Sequence, residues 1–183
     1  MTAKTLYLGG PEVFLPDAPE IGRRRLAACA AADFRGLFPF DVEAPGAPTP
    51  RETARAIFAA NCAAMHEADA GLFNLSPFRG PHADPGTAFE LGFMLALGKP
   101  VFAYSHRAGA LVARLDGAAA ADGVRRDASG CAIENFGLAD NLMLCAGLEA
   151  QGRFVAVEEA DPLRGAGGFL ACLALARRHF DAA

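Results

Sequence analysis

Cysteines are few in this sequence, and none of them belongs to a metal-binding or disulfide motif. The five cysteines are an odd number, lie far apart and stand mostly among alanine and leucine, where a small buried hydrophobe also fits. There is no CxxC pair or histidine–cysteine cluster, and the four histidines lack the spacing of zinc ligands. We therefore expect neither a disulfide framework nor a structural metal.

Long apolar runs and basic blocks are also missing. The first residues lead into a strand-like segment without the apolar stretch of a secretory leader, and no run of about 20 apolar residues occurs. Seventeen basic and 21 acidic residues give a formal charge of −4, with no basic block that would neutralise a phosphodiester backbone. These features predict a cytoplasmic protein that binds neither a membrane nor a nucleic-acid polymer.

The length and composition are those of one ordinary globular domain. The chain has 183 residues, of which 52% are hydrophobic and 21% are charged. This balance supplies enough apolar material for a core and excludes a disordered or low-complexity chain. We expect a single domain over residues 1–183.

Short apolar segments alternate with helical patterns along the chain. The predicted strands span residues 5–8, 37–40, 71–75, 101–104 and 153–157. The predicted helices span residues 20–34, 51–68, 85–97, 141–150 and 169–179. Residues 43–50, 76–84 and 106–134 are predicted loops, the last with a short helix at 111–115. Pro39 places the second strand near the sheet edge, and Asp140 is the predicted N-cap of the fourth helix.

This alternation predicts an α/β fold with five parallel strands and helices on both faces, a doubly wound sheet. In such sheets, ligands bind outside the carboxyl ends of the strands, where the strand order reverses. That rule selects the segments after the first and third strands, residues 9–14 and 76–90.

The common cofactor and hydrolase motifs do not occur. The glycines after the first strand do not form GxGxxG, and Glu12 stands where a pyrophosphate would lie. The other glycine cluster, at 165–168, does not follow a strand, and there is no Walker, GxSxG or HExxH sequence. We therefore expect a reaction that uses no cofactor.

Glu90 is the only ionisable residue between Asp84 and Lys99, in a helix that is apolar almost all round. Such a pattern predicts a buried helix, where a charge is costly and often functional. The positive end of the helix dipole favours an ionised carboxylate and hence a nucleophile. A glutamate on the one exposed edge of the helix fits the pattern equally well.

Two further polar residues flank the predicted pocket. Asp84 precedes Pro85, so it suits an N-cap, but it also suits a second carboxylate facing the same pocket. Paired carboxylates can move a sugar through an oxocarbenium-like transition state. Tyr7 ends the first strand, and a hydrogen bond to a carboxylate is a natural use of its hydroxyl.

At these residues the sequence resembles the nucleoside 2-deoxyribosyltransferases, and the resemblance covers most of the chain. It is carried by residues 6–14, by 74–81 with 83–94, and by 136–144. It implies a flavodoxin-like (Rossmann-like) fold and cleavage of the N-glycosidic bond of 2'-deoxyribonucleosides. The deoxyribosyl group would pass through a covalent glutamyl ester to another free nucleobase, or to water.

The resemblance also implies roles for individual residues. Glu90 matches the nucleophile, Asp84 its companion acid, and Tyr7 the residue that orients the nucleophile. Asn141, with Met143 nearby, matches a segment that holds the sugar hydroxyl in the neighbouring subunit's site, which implies a homo-oligomer with shared active sites. The remaining predicted substrate-binding residues are Gly9, Glu12, Phe14, Asn61, Phe78, Phe89 and Met94.

Some of these assignments have alternatives. Asn61 stands where some family members carry an aspartate, and an amide cannot deliver a proton at neutral pH, so the group that protonates the leaving base is open. Asn61 also fits a polar position on a helix face. Phe14, Phe78, Phe89 and Met94 suit a base pocket, but aromatic and methionine side chains at such spacings also suit a core.

Two other functions remain open at this stage. One is an N-glycosidase acting on 2'-deoxynucleosides or their 5'-monophosphates, although residues 9–12 offer no phosphate donors. The other is a non-catalytic nucleotide-sensing domain of the same fold. Preference for purine or pyrimidine bases does not follow from the sequence.

Overall fold

Five parallel strands form the central sheet in the computed structural model, which describes residues 3–39 and 49–182. The strands are β1 (Lys4–Gly9), β2 (Phe34–Leu37), β3 (Ala70–Asn74), β4 (Val101–Ser105) and β7 (Phe154–Ala156). The intervening strands β5 (Ala118–Ala119) and β6 (Arg125–Arg126) form a separate small sheet. The spatial order of the central sheet is β2-β1-β3-β4-β7, and every neighbouring pair is parallel. This is the order of a flavodoxin-like doubly wound sheet and confirms the predicted fold class.

The helices cover both faces of the sheet. They are α1 (Ala18–Ala31), α2 (Pro50–Glu67), α3 (Pro85–Ala96), α4 (Leu142–Ala150) and α5 (Gly167–Asp181). Helices α1 and α5 share one apolar core, while α2, α3 and α4 share the other. None of the helices in residues 3–39 and 49–182 is long and apolar enough to span a membrane.

Alternate side chains of β1 pack into the two different cores. Leu6 and Leu8 belong to the α1/α5 core, and Tyr7 belongs to the α2/α3/α4 core. Successive side chains of a strand point to opposite faces, so a shift of one residue would exchange these environments. This register directs Tyr7 towards the face that carries α3.

The second strand was predicted too late in the sequence. β2 ends at Leu37, and Pro39 lies outside it, because proline has no N–H to donate to a ladder. The preceding helix was predicted too long, since it ends at Ala31 and Asp33 adopts a φ of 60° in the turn before the strand. The edge position of this strand is confirmed. Phe40 and most of the predicted loop at 43–50 lie outside the described residues.

The region before α4 also differs from the prediction. The predicted short helix is present as a 3-10 helix, Leu111–Arg114, but a small antiparallel hairpin that was not predicted forms from β5 (Ala118–Ala119) and β6 (Arg125–Arg126). The N-cap of α4 is Asn141, whose Oδ1 accepts from Met143 N at 3.0 Å. Asp140 is therefore not the cap, because its carboxylate accepts from Ala83 N instead.

Lys99 attaches the end of α2 to the start of β4. Its ammonium donates to the carbonyl oxygens of Met65, His66 and Ala68, at 2.8, 2.5 and 2.5 Å. Carbonyl groups at a helix C-terminus lack partners within the helix, and a cation there also suits the helix dipole. Lys99 thus holds the helix that carries Asn61.

We expect Lys99→Met to lower the free energy of unfolding by about 1–2 kcal/mol, because three carbonyl groups lose a charged donor. Urea denaturation of the purified variant measures this change. The control is Lys4→Met, which removes an exposed ion pair with Asp69 and should cost less than about 1 kcal/mol. Equal losses in the two variants would contradict the proposed role of Lys99.

Candidate active site

Tyr7 and Gly9, on β1, and Asp84 and Glu90, after β3, lie at the sheet edge where the strand order reverses. The loop after β3 leads into α3, whose N-cap is Asp84. Asp84 Oδ2 accepts from Thr87 N at 2.9 Å and from Thr87 Oγ1 at 3.2 Å. The capping interpretation of Asp84 is therefore confirmed, and the cap fixes its carboxylate at the entrance of the helix that carries Glu90.

Three elements converge on the Glu90 carboxylate. Tyr7, at the sheet, donates its hydroxyl to Glu90 Oε1 at 2.7 Å, and Asn61, on α2, donates its amide to the same oxygen at 3.3 Å. Tyr7 is fully buried and Glu90 is half-buried. The other carboxylate oxygen, Oε2, receives no hydrogen bond from the residues that the structure describes.

Gly9 allows the backbone of β1 to approach this carboxylate. A methyl group on Gly9 would lie 2.8 Å from Glu90 Oε2 and 2.5 Å from the Phe73 ring. No side chain larger than hydrogen fits there without moving one of these groups. The predicted substrate-binding residue Gly9 thus lies directly against the predicted nucleophile.

Burial raises the pKa of Glu90 to about 7. The hydrogen bond from Tyr7 opposes this rise, the negative charge of Asp84 adds to it, and the hydrogen bond from Asn61 opposes it again. The helix dipole is expected to favour the ionised form of this carboxyl, whereas burial favours the neutral form. Burial and the nearby Glu90 charge also raise the pKa of Tyr7, so Tyr7 remains a donor.

The apolar sequence of α3 predicted a helix buried on every side, but the structure exposes one side of it. Leu91 and Met94 are buried, but Phe89 is 51% exposed, and Leu95 and Leu97 are also exposed. Phe89 packs against Phe58 of α2, with ring centroids 5.9 Å apart. The apolar sequence therefore leaves a hydrophobic surface beside Glu90.

Aromatic side chains from the loops after β1 and β3 form a second surface. Phe14 and Phe78 stack with centroids 5.3 Å apart and an interplanar angle of 12°. The Arg79 guanidinium lies over both rings, 5.0 Å from the Phe14 centroid and 4.7 Å from that of Phe78. Arg79 is exposed, and its guanidinium has these aromatic contacts at the surface. Met94, in contrast, is fully buried in the core below the site.

The other predicted contacts lie farther from Glu90 or are buried. Asn141 donates to Glu134 Oε1 at 2.7 Å besides capping α4, and Met143 is 76% exposed. Neither of them contacts Glu90 or Tyr7 within the described chain. Glu12 is 3% exposed and accepts hydrogen bonds from Asn74 and Tyr104.

The loop before α3 is anchored by residues that no sequence pattern indicated. Asp140, almost fully buried, accepts from Ala83 N at 2.7 Å and lies 2.9 Å from His82 Nδ1. Arg114 donates to Pro81 O at 3.0 Å and to Ala139 O. These contacts join the loop before Asp84 to the segment before Asn141. No local pattern pairs residues so distant in the sequence.

The described residues include no group of three or more histidine, cysteine, aspartate or glutamate side chains that could hold a metal ion. The site instead offers two carboxylates, a buried phenol and an amide. One carboxylate oxygen is held by two donors and the other is not. Such an arrangement suits nucleophilic attack by a carboxylate on an electrophilic carbon.

Comparison with known proteins identifies the family. The profile of the nucleoside 2-deoxyribosyltransferase family matches residues 6–143. A 2-desoxiribosyltransferase from Leishmania mexicana has a TM-score of 0.64 and 32% identity, over 96% of this chain and 98% of that chain. The chain belongs to the nucleoside 2-deoxyribosyltransferase family.

Two further proteins are similar to this chain. An uncharacterised protein of Schizosaccharomyces pombe is 33% identical over 174 residues, which cover 84% of this chain and 81% of its own length. A conserved protein from Enterococcus faecalis V583 has 16% identity and a TM-score of 0.55, over 94% of this chain and 98% of that chain, and shows likeness of fold alone.

We expect kcat/KM to rise with pH through a midpoint near the Glu90 pKa of about 7, because only the ionised carboxylate attacks. Asn61→Ala removes a hydrogen bond to the carboxylate and should move the midpoint to higher pH. Asp84→Asn removes a like charge and should move it to lower pH. Rate measurements from pH 5 to 9 provide the test. A midpoint that neither variant moves would contradict the assignment to Glu90.

Proposed function

We propose that the protein cleaves the N-glycosidic bond of 2'-deoxyribonucleosides and transfers the 2-deoxyribosyl group to another nucleobase, with Glu90 as nucleophile. The observation that carries the proposal is the geometry of the Glu90 carboxylate. Tyr7 and Asn61 hold Oε1, while Oε2 faces Gly9 at the carboxyl edge of the sheet. Family membership supports the same reaction class.

In the first step, Glu90 Oε2 attacks the anomeric carbon of the bound deoxynucleoside. The new C–O ester bond forms as the C–N bond breaks, and the departing base takes the electron pair of that bond and a proton. In the second step, a nitrogen of the incoming base attacks the same carbon, gives its proton to the Asp84 carboxylate and releases Glu90. Two displacements give net retention, and water in place of the incoming base gives hydrolysis.

Tyr7 and Asn61 have complementary roles in this reaction. Both hydrogen bonds go to Oε1, so they orient the carboxylate and leave Oε2 for the attack. They also stabilise the ionised form, which burial disfavours. The leaving carboxylate of the second step is stabilised by the same two hydrogen bonds.

Asp84 is the proposed acid for the leaving base. Both of its hydrogen bonds to Thr87 use Oδ2, so Oδ1 is available to the substrate. Asn61 cannot supply a proton at neutral pH, whereas Asp84, a second carboxyl group near Glu90, can supply one in its protonated form. We propose that Asp84 binds the substrate and transfers this proton.

The aromatic surface of Phe14 and Phe78 is the proposed support for the nucleobase. Phe14 is 53% exposed and already stacks on Phe78, so a flat ring can bind to a preformed apolar surface. Phe89, on α3 next to Glu90, is a further proposed contact.

A 2'-hydroxyl disfavours positive charge on the sugar, so ribonucleosides should react poorly.

We expect deoxyinosine and free adenine to yield deoxyadenosine when incubated with the protein, as measured by liquid chromatography. Glu90→Gln should abolish this product, because the amide is a poor nucleophile, with a loss of about 10⁴-fold or more. Glu20→Gln, at a partly exposed residue of α1, is the control and should retain full activity.

The same assay distinguishes the other functions. Free deoxyribose without deoxyadenosine would indicate an N-glycosidase, and turnover of deoxyinosine 5'-monophosphate alone would indicate a monophosphate hydrolase. Nucleoside binding without any product from the wild-type protein would indicate a sensing domain and contradict the proposed transfer.

We also propose a homo-oligomer in which Asn141 and Met143 complete the site of a neighbouring subunit. Met143 is 76% exposed and Phe136, close to it in sequence, is 67% exposed, so this segment presents apolar side chains outside the chain's own core. Exposed Phe58 and Phe89 lie beside Glu90. A second copy would cover these surfaces.

Complementation tests this arrangement. Glu90→Gln and Asn141→Ala should each be inactive alone, yet mixing and reassociating them as a dimer should restore about a quarter of the wild-type activity. Half of the dimers would then be mixed, and one of their two sites would have both native residues. No recovery in a mixture shown to exchange subunits would mean that Asn141 acts within its own subunit.

A further inference from the structure

A chain of buried polar side chains runs beneath the site, along the carboxyl ends of the strands. Its members come from the turn after β1, from α1, and from the ends of β3 and β4 with the residues that follow them. Each is at most 6% exposed: Glu12, Arg25, Asn74, Ser76, Tyr104 and His106. Burial of polar groups is costly unless they are hydrogen-bonded, so this set calls for a physical explanation.

Glu12 is the centre of this chain. Its Oε1 accepts from Asn74 Nδ2 at 2.8 Å and from the Tyr104 hydroxyl at 3.0 Å, and Arg25 lies 3.8 Å away. Arg25 also donates to Gly165 O and lies over the Phe169 ring. Glu12 therefore connects the turn after β1 to β3, β4 and α1.

Asn74 continues the chain towards α5. Its Oδ1 accepts from Ser76 N at 2.9 Å, and Ser76 Oγ accepts from His106 N at 2.9 Å. His106 Nε2 accepts from Gly168 N at 3.1 Å, so the ring proton is on Nδ1, which donates to Pro162 O at 2.8 Å. Every member is thus anchored to backbone or to another member.

The chain contacts the site through two consecutive glycines. A methyl group on Gly10 would lie 2.1 Å from Glu12 Oε2 and 2.9 Å from Asn74 Cβ. A methyl group on its neighbour Gly9 would lie 2.8 Å from Glu90 Oε2. The backbone between β1 and Phe14 therefore has the buried chain on one side and the proposed nucleophile on the other.

Stability alone is a weak explanation for these side chains. Well-packed hydrophobic residues of similar volume often stabilise a protein as well as a buried ion pair does. A hydrogen-bonded carboxylate, in contrast, has directional bonds and fixes the backbone that carries it. The backbone that carries Glu12 is the turn Pro11–Phe14, and this turn ends with the exposed aromatic ring of Phe14.

We propose that Glu12, held by Asn74, Tyr104 and Arg25, is a positioning residue that fixes residues 9–14 over Glu90 and so sets the location of Phe14 for the nucleobase. It acts through the backbone and does not contact the substrate. This inference rests on the proposed deoxyribosyl transfer and assigns Glu12 a role different from the substrate contact expected from the sequence.

Tyr104→Phe tests the proposal, because it removes one hydrogen bond to Glu12 and leaves the fold and the Arg25 partner in place. We expect KM for the deoxynucleoside donor to rise about five- to tenfold, the effect of one hydrogen bond, with kcat changed less than about twofold. The pH midpoint of kcat/KM should not move, since Tyr7 and Asn61 still bind Glu90.

The matched control is Ile21→Val, a buried residue of α1 outside the chain of polar groups. It should lower the thermal midpoint about as much as Tyr104→Phe does, with KM unchanged. A rise in KM in both variants would show that the effect is general loss of stability and would overturn the proposal.

Combination with Phe14→Ala supplies the second measurement. If the chain acts through Phe14, Tyr104→Phe should change KM less than about twofold once the Phe14 ring is absent, a clear departure from additivity. Equal effects in both backgrounds would overturn the proposal. An inactive wild-type protein would instead reject the proposed transfer, so the two failures are distinguishable.

Discussion

The hydrogen bond from Tyr7 to Glu90 is the interaction on which the proposed site depends. It joins β1 to the helix that follows β3, and it lies where burial disfavours a charged carboxylate. Without a buried donor, this carboxyl would remain protonated over more of the neutral pH range. The bond also goes to one oxygen only, so the same contact that supports ionisation leaves the other oxygen for chemistry.

The rest of the fold places the partners of this bond. The register of β1 directs Tyr7 towards the α3 face. The Asp84 cap fixes the start of α3, and this start places Glu90 within hydrogen-bond distance of the Tyr7 hydroxyl. Gly9 admits the carboxylate against the backbone. The crossover order of a doubly wound sheet brings β1 beside β3, which are far apart in sequence, and the reacting groups therefore meet at the reversal point.

Several features were predictable because they depend on local pattern. The alternation of apolar segments and helices indicated a parallel sheet, and the isolation of Glu90 in an apolar helix marked it as unusual. The predicted boundaries of β2 and the predicted cap of α4 were wrong. At both places, neighbouring residues suit the same turn or cap position. At Asn141 and Asp140, both side chains suit a cap, and only the contact of Asp140 with Ala83 decides which one serves.

By itself, the sequence determined the fold class and the candidate carboxylates, since periodicity and residue type carry that information locally. Tertiary structure alone decided the pKa of Glu90, the single oxygen that Tyr7 and Asn61 share, and the burial of Glu12 among Asn74 and Tyr104. These properties arise from groups up to 92 positions apart, as for Glu12 and Tyr104. Their distances and desolvation exist only once the chain has packed.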